Sequence, residues 1–191
     1  PLHQEVHNHH QAHAHGTSGP SDFAVRVGVL TVSDRASKGV YKDESGPAIV
    51  EALTGFAKRT GAFEVHVQRS AVVADERADI RAALEAWSVP DSSGVPACNL
   101  IITTGGTGLS PRDVTPEATR DVVDRLVPGI TEAILFKTMD HEPMAMLSRA
   151  VAGLRGKTLI VNLPGRPKAV RENLEVFMPA LKHALRQAGG E

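Results

Sequence analysis

Short, nearly unbroken runs of apolar and β-branched residues are the feature that most constrains this fold. Three such runs are Val25–Val32, Leu100–Thr104 and Thr158–Val161, and a polar or glycine-containing loop follows each of them. Runs of this kind are typical of strands that are buried on both faces of a parallel sheet. Segments with helical spacing lie between them, and Pro167–Gln187 is predicted as a long closing helix. This alternation predicts an α/β fold of three layers, a mostly parallel sheet with helices on both faces.

Other segments complete the predicted pattern. Phe63–Val73 alternates enough to be a strand, and Asp75 after it is interpreted as the N-cap of the next helix. Thr115 is interpreted as the cap of a further helix that has proline at its first position. Ser33–Ser45 is predicted to be a loop, and Leu147–Leu154 is open between a helix end and a strand.

The charge and cysteine content exclude some classes of protein. The 191 residues carry 21 basic and 22 acidic side chains, a net charge of −1, whereas a nucleic-acid binder is more often basic. No apolar run approaches the roughly 20 residues needed to span a bilayer. We therefore expect neither a nucleic-acid nor a membrane partner. The single cysteine, Cys98, cannot form a disulfide framework and fits a cytoplasmic location.

Histidine is concentrated at the beginning of the chain. Six of the nine histidines lie in the first fifteen residues. Such a tract could bind metal, or it could be a native tail or an affinity tag outside the fold. The second interpretation is favoured, because so little apolar content cannot offset the entropy of ordering. We predict a disordered histidine-rich tail or tag at residues 1–22 and a single domain at residues 23–191.

Unusual loops follow four of the predicted strands. They are Ser33–Arg35, Asp75, Gly105–Asp113 and Asn162–Gly165. Ligands of open α/β sheets bind outside the carboxyl ends of the strands. The sequence therefore predicts a binding site at this edge of the sheet.

The glycine-rich loop has the composition of a phosphate-binding turn. Successive amides at Gly105–Gly108 can approach an anion closely, Thr107 and Ser110 add hydroxyl groups, and Arg112 adds a cation. The loop lacks the Gly-Lys-Ser/Thr of a P-loop and the spacing of the dinucleotide fingerprint, which disfavours a nicotinamide-dependent dehydrogenase. The alternative is a tight strand-to-helix turn that binds nothing.

Two aspartates accompany this loop. Asp75 and Asp113 are each compatible with ordinary helix capping. Mg²⁺, however, is typically held by one or two carboxylates together with substrate phosphates. Both residues are therefore predicted magnesium ligands.

Five segments, in this order along the chain, resemble the molybdopterin adenylyltransferases, which are the Mog-type proteins related to the MoaB group and to domains of plant Cnx and animal gephyrin. The segments are Ser33–Asp43, Thr103–Gly108, Arg112–Thr119, Leu147–Arg149 and Asn162–Gly165. The resemblance covers about residues 25–187.

The resemblance implies a reaction and its participants. Molybdopterin and ATP would give adenylyl-molybdopterin and diphosphate with Mg²⁺, and the product would pass to a downstream protein that inserts molybdate. It also implies a homotrimer, with hexamers in the MoaB branch. The alternative is a catalytically inactive, molybdopterin-binding MoaB-type protein of the same fold.

The resemblance also assigns residues. The two functional aspartates of the family fall on Asp75 and Asp113, which are the predicted catalytic residues. The predicted substrate- and nucleotide-binding residues lie in the first loop, the glycine-rich loop, the segment at Ser148 and the last turn. They are Ser33, Asp34, Arg35, Gly105, Gly106, Thr107, Gly108, Ser110, Arg112, Ser148, Asn162, Pro164 and Gly165. Lys168 is a further candidate for neutralising phosphate charge.

Overall fold

The computed structural model describes residues 23–191, which form one six-stranded sheet with helices on both faces. The strands are β1 (Ala24–Val32), β2 (Glu64–Val73), β3 (Leu100–Thr104), β4 (Arg125–Leu126), β5 (Ala152–Arg155) and β6 (Thr158–Leu163). The helices are α1 (Asp34–Ser37), α2 (Ser45–Thr60), α3 (Arg77–Ser88), α4 (Thr115–Val122), α5 (Pro128–Met139) and α6 (Pro167–Gly189), with a 3₁₀ helix at Pro143–Leu147.

The strand order is β2-β1-β3-β6-β5-β4. The first four strands in this order are parallel, and β5 and β4 extend the sheet in antiparallel pairing. The prediction of a mostly parallel sheet in an α/β fold is confirmed. The short strand β4 and its antiparallel edge were not predicted.

Alternating side chains of the central strands supply two separate cores. On β3, Leu100 and Ile102 pack with α2 and α6, whereas Ile101 packs on the other face with Ile80 and Leu84 of α3. All five side chains are fully buried. Because both faces of the strand are covered, its sequence is apolar throughout instead of alternating.

Several local predictions differ from the structure. The predicted loop at Ser33–Ser45 contains the single-turn helix α1, and α2 begins at Ser45. That beginning is fixed by Asp43, whose Oδ1 accepts from the backbone N–H groups of Ser45 and Gly46. Asp43 Oδ2 in turn accepts from the Thr31 hydroxyl at 2.7 Å. The first loop is thereby attached to the sheet.

Two predicted helix caps are wrong. The carboxylate of Asp75 accepts a hydrogen bond from the backbone N–H of Asp34, on another strand end, and α3 begins only at Arg77. Thr115 is the first residue of α4, and its hydroxyl donates to the Gly105 carbonyl at 2.9 Å. In both cases a contact distant in sequence replaces the local cap.

The remaining predictions concern the second half and the beginning of the chain. The open segment Leu147–Leu154 holds the end of the 3₁₀ helix and the start of β5. The closing helix is confirmed as α6, which continues through Pro179. The predicted tail at residues 1–22 lies outside the described residues. Across residues 23–191, no helix combines the length and apolar character needed to cross a bilayer.

Candidate active site

The carboxyl ends of β1, β3 and β6 meet at the glycine-rich loop. The backbone N–H of Gly105 donates to the Leu163 carbonyl at 3.1 Å, and the Thr104 hydroxyl donates to the Pro164 carbonyl at 2.8 Å. Gly165 lies against Gly105, because an ideal Cβ on Gly165 would be 3.4 Å from the Gly105 Cα. The predicted convergence of these loops at one edge is therefore observed.

Glycine is required at two positions of this loop. Gly105 and Gly106 have φ values of +96° and +63°, in the region that favours glycine. A Cβ on Gly105 would lie 2.3 Å from the Val32 carbonyl oxygen, and one on Gly106 would lie 2.4 Å from the Thr115 hydroxyl oxygen. The glycines allow the loop to pack tightly between β1 and α4.

The ends of β1 and β2 are joined by a reciprocal pair of aspartates. The backbone N–H of Asp34 donates to Asp75 Oδ2 at 2.7 Å, and the backbone N–H of Asp75 donates to Asp34 Oδ1 at 3.1 Å. This N–H group of Asp75, together with Arg112, holds the pKa of Asp34 below its ordinary value. The two loops are consequently fixed relative to each other.

Arg112 crosses from the glycine-rich loop to these carboxylates. Its Nη2 donates to Asp34 Oδ2 and to Glu76 Oε1, each at 2.9 Å. The predicted phosphate-binding cation is thus held by two acids in this structure. Glu76 was not predicted, although it directly follows Asp75 in the sequence.

The two predicted catalytic carboxylates lie against the same glycine-rich loop. Asp75 Oδ1 is 3.2 Å from the position of an ideal Cβ on Gly106, and Asp113 Oδ2 is 2.8 Å from that of Gly108. Asp113 Oδ2 also accepts from the backbone N–H of Ser110 at 3.2 Å. Asp75, which follows β2, therefore lies against the loop after β3 that carries Asp113 at its far end.

The electrostatics of this cluster favour a cation. Burial raises the pKa of Asp75, the negative charges of Asp34 and Asp113 raise it further, and hydrogen bonding from Asp34 and the charge of Arg112 oppose them. Within residues 23–191, no group of three or more histidine, cysteine or acidic side chains is arranged to hold a metal. Two carboxylates that share an ion with phosphates fit Mg²⁺, which keeps only one or two protein carboxylates in such sites.

Ser33 and Arg35 are grouped around an aromatic ring. The Ser33 hydroxyl is 2.8 Å from the Tyr41 hydroxyl, and the Arg35 guanidinium lies 5.3 Å from the centre of the Tyr41 ring. A hollow of about 290 Å³ lies beside this group, and Gly165 lines it. Ser33 and Arg35 therefore lie at the same edge of the sheet, next to the carboxylate cluster.

A larger cavity of about 540 Å³ opens on the other side of the loop. Of the predicted residues, it is lined by Thr107, Gly108, Ser148, Asn162, Pro164, Gly165 and Lys168. Its remaining wall comes from α5, the 3₁₀ helix and α6, and includes Ile134, Leu135, Ala169, Glu172 and Asn173. This wall was not predicted, because apolar helical residues carry no chemical signature in the sequence.

Asn162 has a framework role in this structure. Its side-chain amide donates to the hydroxyls of Thr103 and Thr119 at 2.9 and 2.8 Å, and its Oδ1 accepts from the backbone N–H of Val151. The residue is only 1% exposed. Asn162 thus ties β6 to β3 and α4 at the floor of the cavity.

The comparisons with known proteins agree with this geometry. The family described as "probable molybdopterin binding domain" matches residues 28–183. The chain belongs to this family. The family predicted from the sequence motifs is therefore confirmed.

Individual relatives are similar over most of their length. The molybdopterin adenylyltransferase of Helicobacter pylori strain J99 is 44% identical over 161 residues, which are 84% of this chain and 86% of that protein. The Escherichia coli K12 enzyme of the same name is 43% identical over 79% of this chain and 72% of its own. The molybdopterin biosynthesis enzyme MoaB of Thermus thermophilus is 46% identical, with a TM-score of 0.76 over 87% of this chain and 98% of that one.

Proposed function

We propose that this chain is a molybdopterin adenylyltransferase, which transfers AMP from Mg²⁺–ATP to the terminal phosphate of molybdopterin and releases diphosphate. The observation that carries the proposal is the placement of Asp75 and Asp113 against one glycine-rich loop, with a cavity of about 540 Å³ on its other side. The relatives named molybdopterin adenylyltransferase support the same activity.

The chemistry requires positioning more than proton transfer. The terminal phosphate of molybdopterin is a monoester with a second pKa of about 6, so it is mostly dianionic at neutral pH and needs no strong base. It must be brought to the α-phosphate of ATP, which is also anionic, and the leaving diphosphate must be stabilised. Exposed amides of the glycine-rich loop and its hydroxyls at Thr107 and Ser110 are suited to bind these oxygens.

We assign the proposed magnesium ion to these two carboxylates. Asp113 would position the Mg²⁺–ATP phosphates, and Asp75 would hold the ion or orient its ligands. When bound, Mg²⁺ supplies positive charge that offsets the charges of the phosphates. The pKa of Asp75 is raised by burial and by the negative charges of Asp34 and Asp113, which supports this assignment because a bound cation stabilises the ionised form of such a carboxylate.

The cavity is suited to the pterin. Its volume lies in the range of about 300–1,000 Å³ that is common for small-molecule sites. Apolar side chains such as Ile134 and Leu135 can cover the flat ring, and Glu172 and Asn173 offer polar groups to its edge. The cavity reaches the glycine-rich loop at Thr107 and Gly108, so a ligand in it would present its phosphate next to Asp113.

The alternative is a MoaB-type protein of the same fold that binds molybdopterin without turning it over. The presence of both aspartates, together with the phosphate-binding loop, favours the enzyme.

We also propose a homotrimer, with a hexamer as the alternative assembly. Large apolar side chains are exposed on α5 and the 3₁₀ helix, among them Phe136 at 72% and Met144 at 63%. A further copy of the chain would cover such a surface. Product delivery to a molybdenum-insertion protein and a cytoplasmic location stay predictions.

The direct test mixes purified protein, Mg²⁺, molybdopterin and ATP labelled at the α-phosphate. We expect adenylylated molybdopterin and diphosphate in equal amounts, and Asp113→Asn should slow product formation at least about 100-fold. Tight pterin binding without turnover would establish the inactive alternative. Consumption of ATP without molybdopterin would contradict both assignments.

A further inference from the structure

Arg149 directly follows Ser148, which lines the cavity, and contacts the glycine-rich loop. Its backbone N–H donates to the Thr107 carbonyl at 2.9 Å, and its side-chain Nε donates to the Gly108 carbonyl at 2.8 Å. The side chain is 33% exposed. Arg149 is therefore partly enclosed by the loop that it contacts.

The other nitrogens of the same guanidinium reach the far end of the loop. Nη2 donates to the Asp113 carbonyl, and Nη1 donates to the carboxylate of Glu117. One planar group thus bridges the carbonyls of Gly108 and Asp113. Because the donors of arginine are fixed in a rigid fork, this bridge sets the separation of the two carbonyls.

Glu117, in the first turn of α4, accepts a hydrogen bond from the Arg149 guanidinium through its Oε1. Its Oε2 is buried and has no hydrogen-bond partner in the described part of the chain. Burial opposes ionisation, but hydrogen bonds from Arg149 and from the residue's own backbone N–H, together with the charges of Arg149 and Arg120, outweigh burial and lower the pKa of Glu117. The pair is consequently charged at neutral pH and fixes Arg149 against the helix.

We propose that Arg149 is the positioning residue for the segment 108–113, which carries Asp113, and that Glu117 orients Arg149. The proposal rests on the proposed function in one respect, that Asp113 acts on Mg²⁺–ATP. Through this one side chain, Ser148, which lines the cavity, and Asp113 keep a fixed separation.

Arg149→Lys is the first test, because lysine keeps the charge near Glu117 but lacks the rigid planar fork whose separate nitrogens reach the two carbonyls. We expect amide hydrogen exchange in residues 105–113 to accelerate at least about tenfold, since local opening of the loop becomes easier. We expect kcat to fall about tenfold or more and KM for molybdopterin to change less than about threefold. The Mg²⁺ concentration for half-maximal rate should rise.

Arg155→Lys is the matched control. Arg155 is also partly buried and donates to one backbone carbonyl, that of Val122 at the end of α4, at 3.0 Å. Its loss should leave exchange in residues 105–113, kcat and the Mg²⁺ dependence unchanged. Equal changes in both variants would overturn the proposal.

The double variant Arg149→Met with Glu117→Gln separates positioning from stability. Removing both charges avoids an uncompensated buried carboxylate, so its thermal midpoint should lie above that of Arg149→Met alone. Its kcat should stay low. Recovery of kcat together with the thermal midpoint would show that Arg149 is only structural.

The exchange measurement also separates this proposal from the proposed function. If the wild-type protein forms no adenylylated product, the proposed function fails, and exchange in residues 105–113 still decides whether Arg149 holds the loop. Unchanged exchange in Arg149→Lys would overturn the positioning role, whatever the activity of the wild-type protein.

Discussion

The two sides of the glycine-rich loop are constructed in opposite ways. On one side, Asp34, Asp75 and Asp113 from three separate strand ends are packed together with Arg112. On the other side, α5, the 3₁₀ helix and α6 enclose a largely apolar cavity. We call these the carboxylate side and the cavity side.

The difference indicates that the two sides have separate roles. Mutual repulsion on the carboxylate side is useful only when a cation or positively charged group is needed there. Apolar enclosure on the cavity side contributes binding through burial, although charged side chains such as Lys168 and Glu172 also line the cavity. We therefore expect substitutions on the carboxylate side to change kcat and substitutions on the cavity side to change KM.

The largest effect is expected for Asp113→Asn. The amide can still accept from the Ser110 N–H, so the loop is retained while the negative charge is lost. We expect kcat to fall about 100- to 1,000-fold, a size typical for the loss of one electrostatic contact to a transition state. Steady-state kinetics would measure kcat, and a fluorescence titration should give an unchanged Kd for molybdopterin. A large rise in this Kd would contradict the separate roles of the two sides.

Arg112→Met should lower kcat about tenfold, since Asp34 and Glu76 lose their partner and the carboxylate side loosens. It should also lower the thermal midpoint at pH 7. Because the pKa of Asp34 is depressed in the folded state, its stabilisation is present above the ordinary value of 3.8 and is lost as the pH falls through the folded-state pKa. Thermal melts from pH 7 to pH 2 should therefore show the difference between wild type and variant shrinking.

Ala169→Leu tests the cavity side alone. Ala169 lines the cavity from α6, and the larger side chain should raise KM for molybdopterin about five- to tenfold with kcat within about twofold of wild type. The matched control is Ala180→Leu, at an exposed position of the same helix. A selective loss of kcat in Ala169→Leu, absent from the control, would contradict the assignment of the cavity side to molybdopterin binding.

The smallest effect is a gain in stability from Asp75→Asn. Burial and neighbouring negative charges raise the pKa of Asp75, so its ionised form opposes folding at neutral pH. Asparagine keeps the acceptor for the Asp34 N–H, and the thermal midpoint at pH 7 should rise by roughly 1–3 °C while kcat falls. The gain should diminish as the pH falls through the raised folded-state pKa, and it should be absent below the ordinary pKa of 3.8. A lower midpoint at pH 7 would contradict this electrostatic account.

The carboxylate side could be predicted largely from the sequence. Glycine, aspartate and arginine directly after apolar strands mark the sheet edge, and parallel strands bring such loops together. What the sequence did not indicate was that Asp75 bonds to the Asp34 backbone instead of capping α3. Residues 34 and 75 are far apart in the chain, and only the parallel pairing of β1 with β2 makes them neighbours.

The cavity side could not be predicted in this way. Its wall consists of helical residues such as Leu135 and Ala169, which would look the same in an ordinary core. The depth of the cavity depends on how α5, the 3₁₀ helix and α6 are spaced, and no short motif encodes that spacing. Ser148 was predicted only through the family resemblance.

The measurement that most directly tests the account is single-turnover adenylyl transfer with molybdopterin already bound at saturation. The rate of label transfer from α-labelled ATP would be compared among wild type, Asp113→Asn and Ala169→Leu. We predict that Ala169→Leu transfers the adenylyl group at the wild-type rate once saturated, whereas Asp113→Asn binds molybdopterin but transfers at least about 100-fold more slowly. Equal slowing of the two variants, or no transfer by the wild-type protein, would contradict the account.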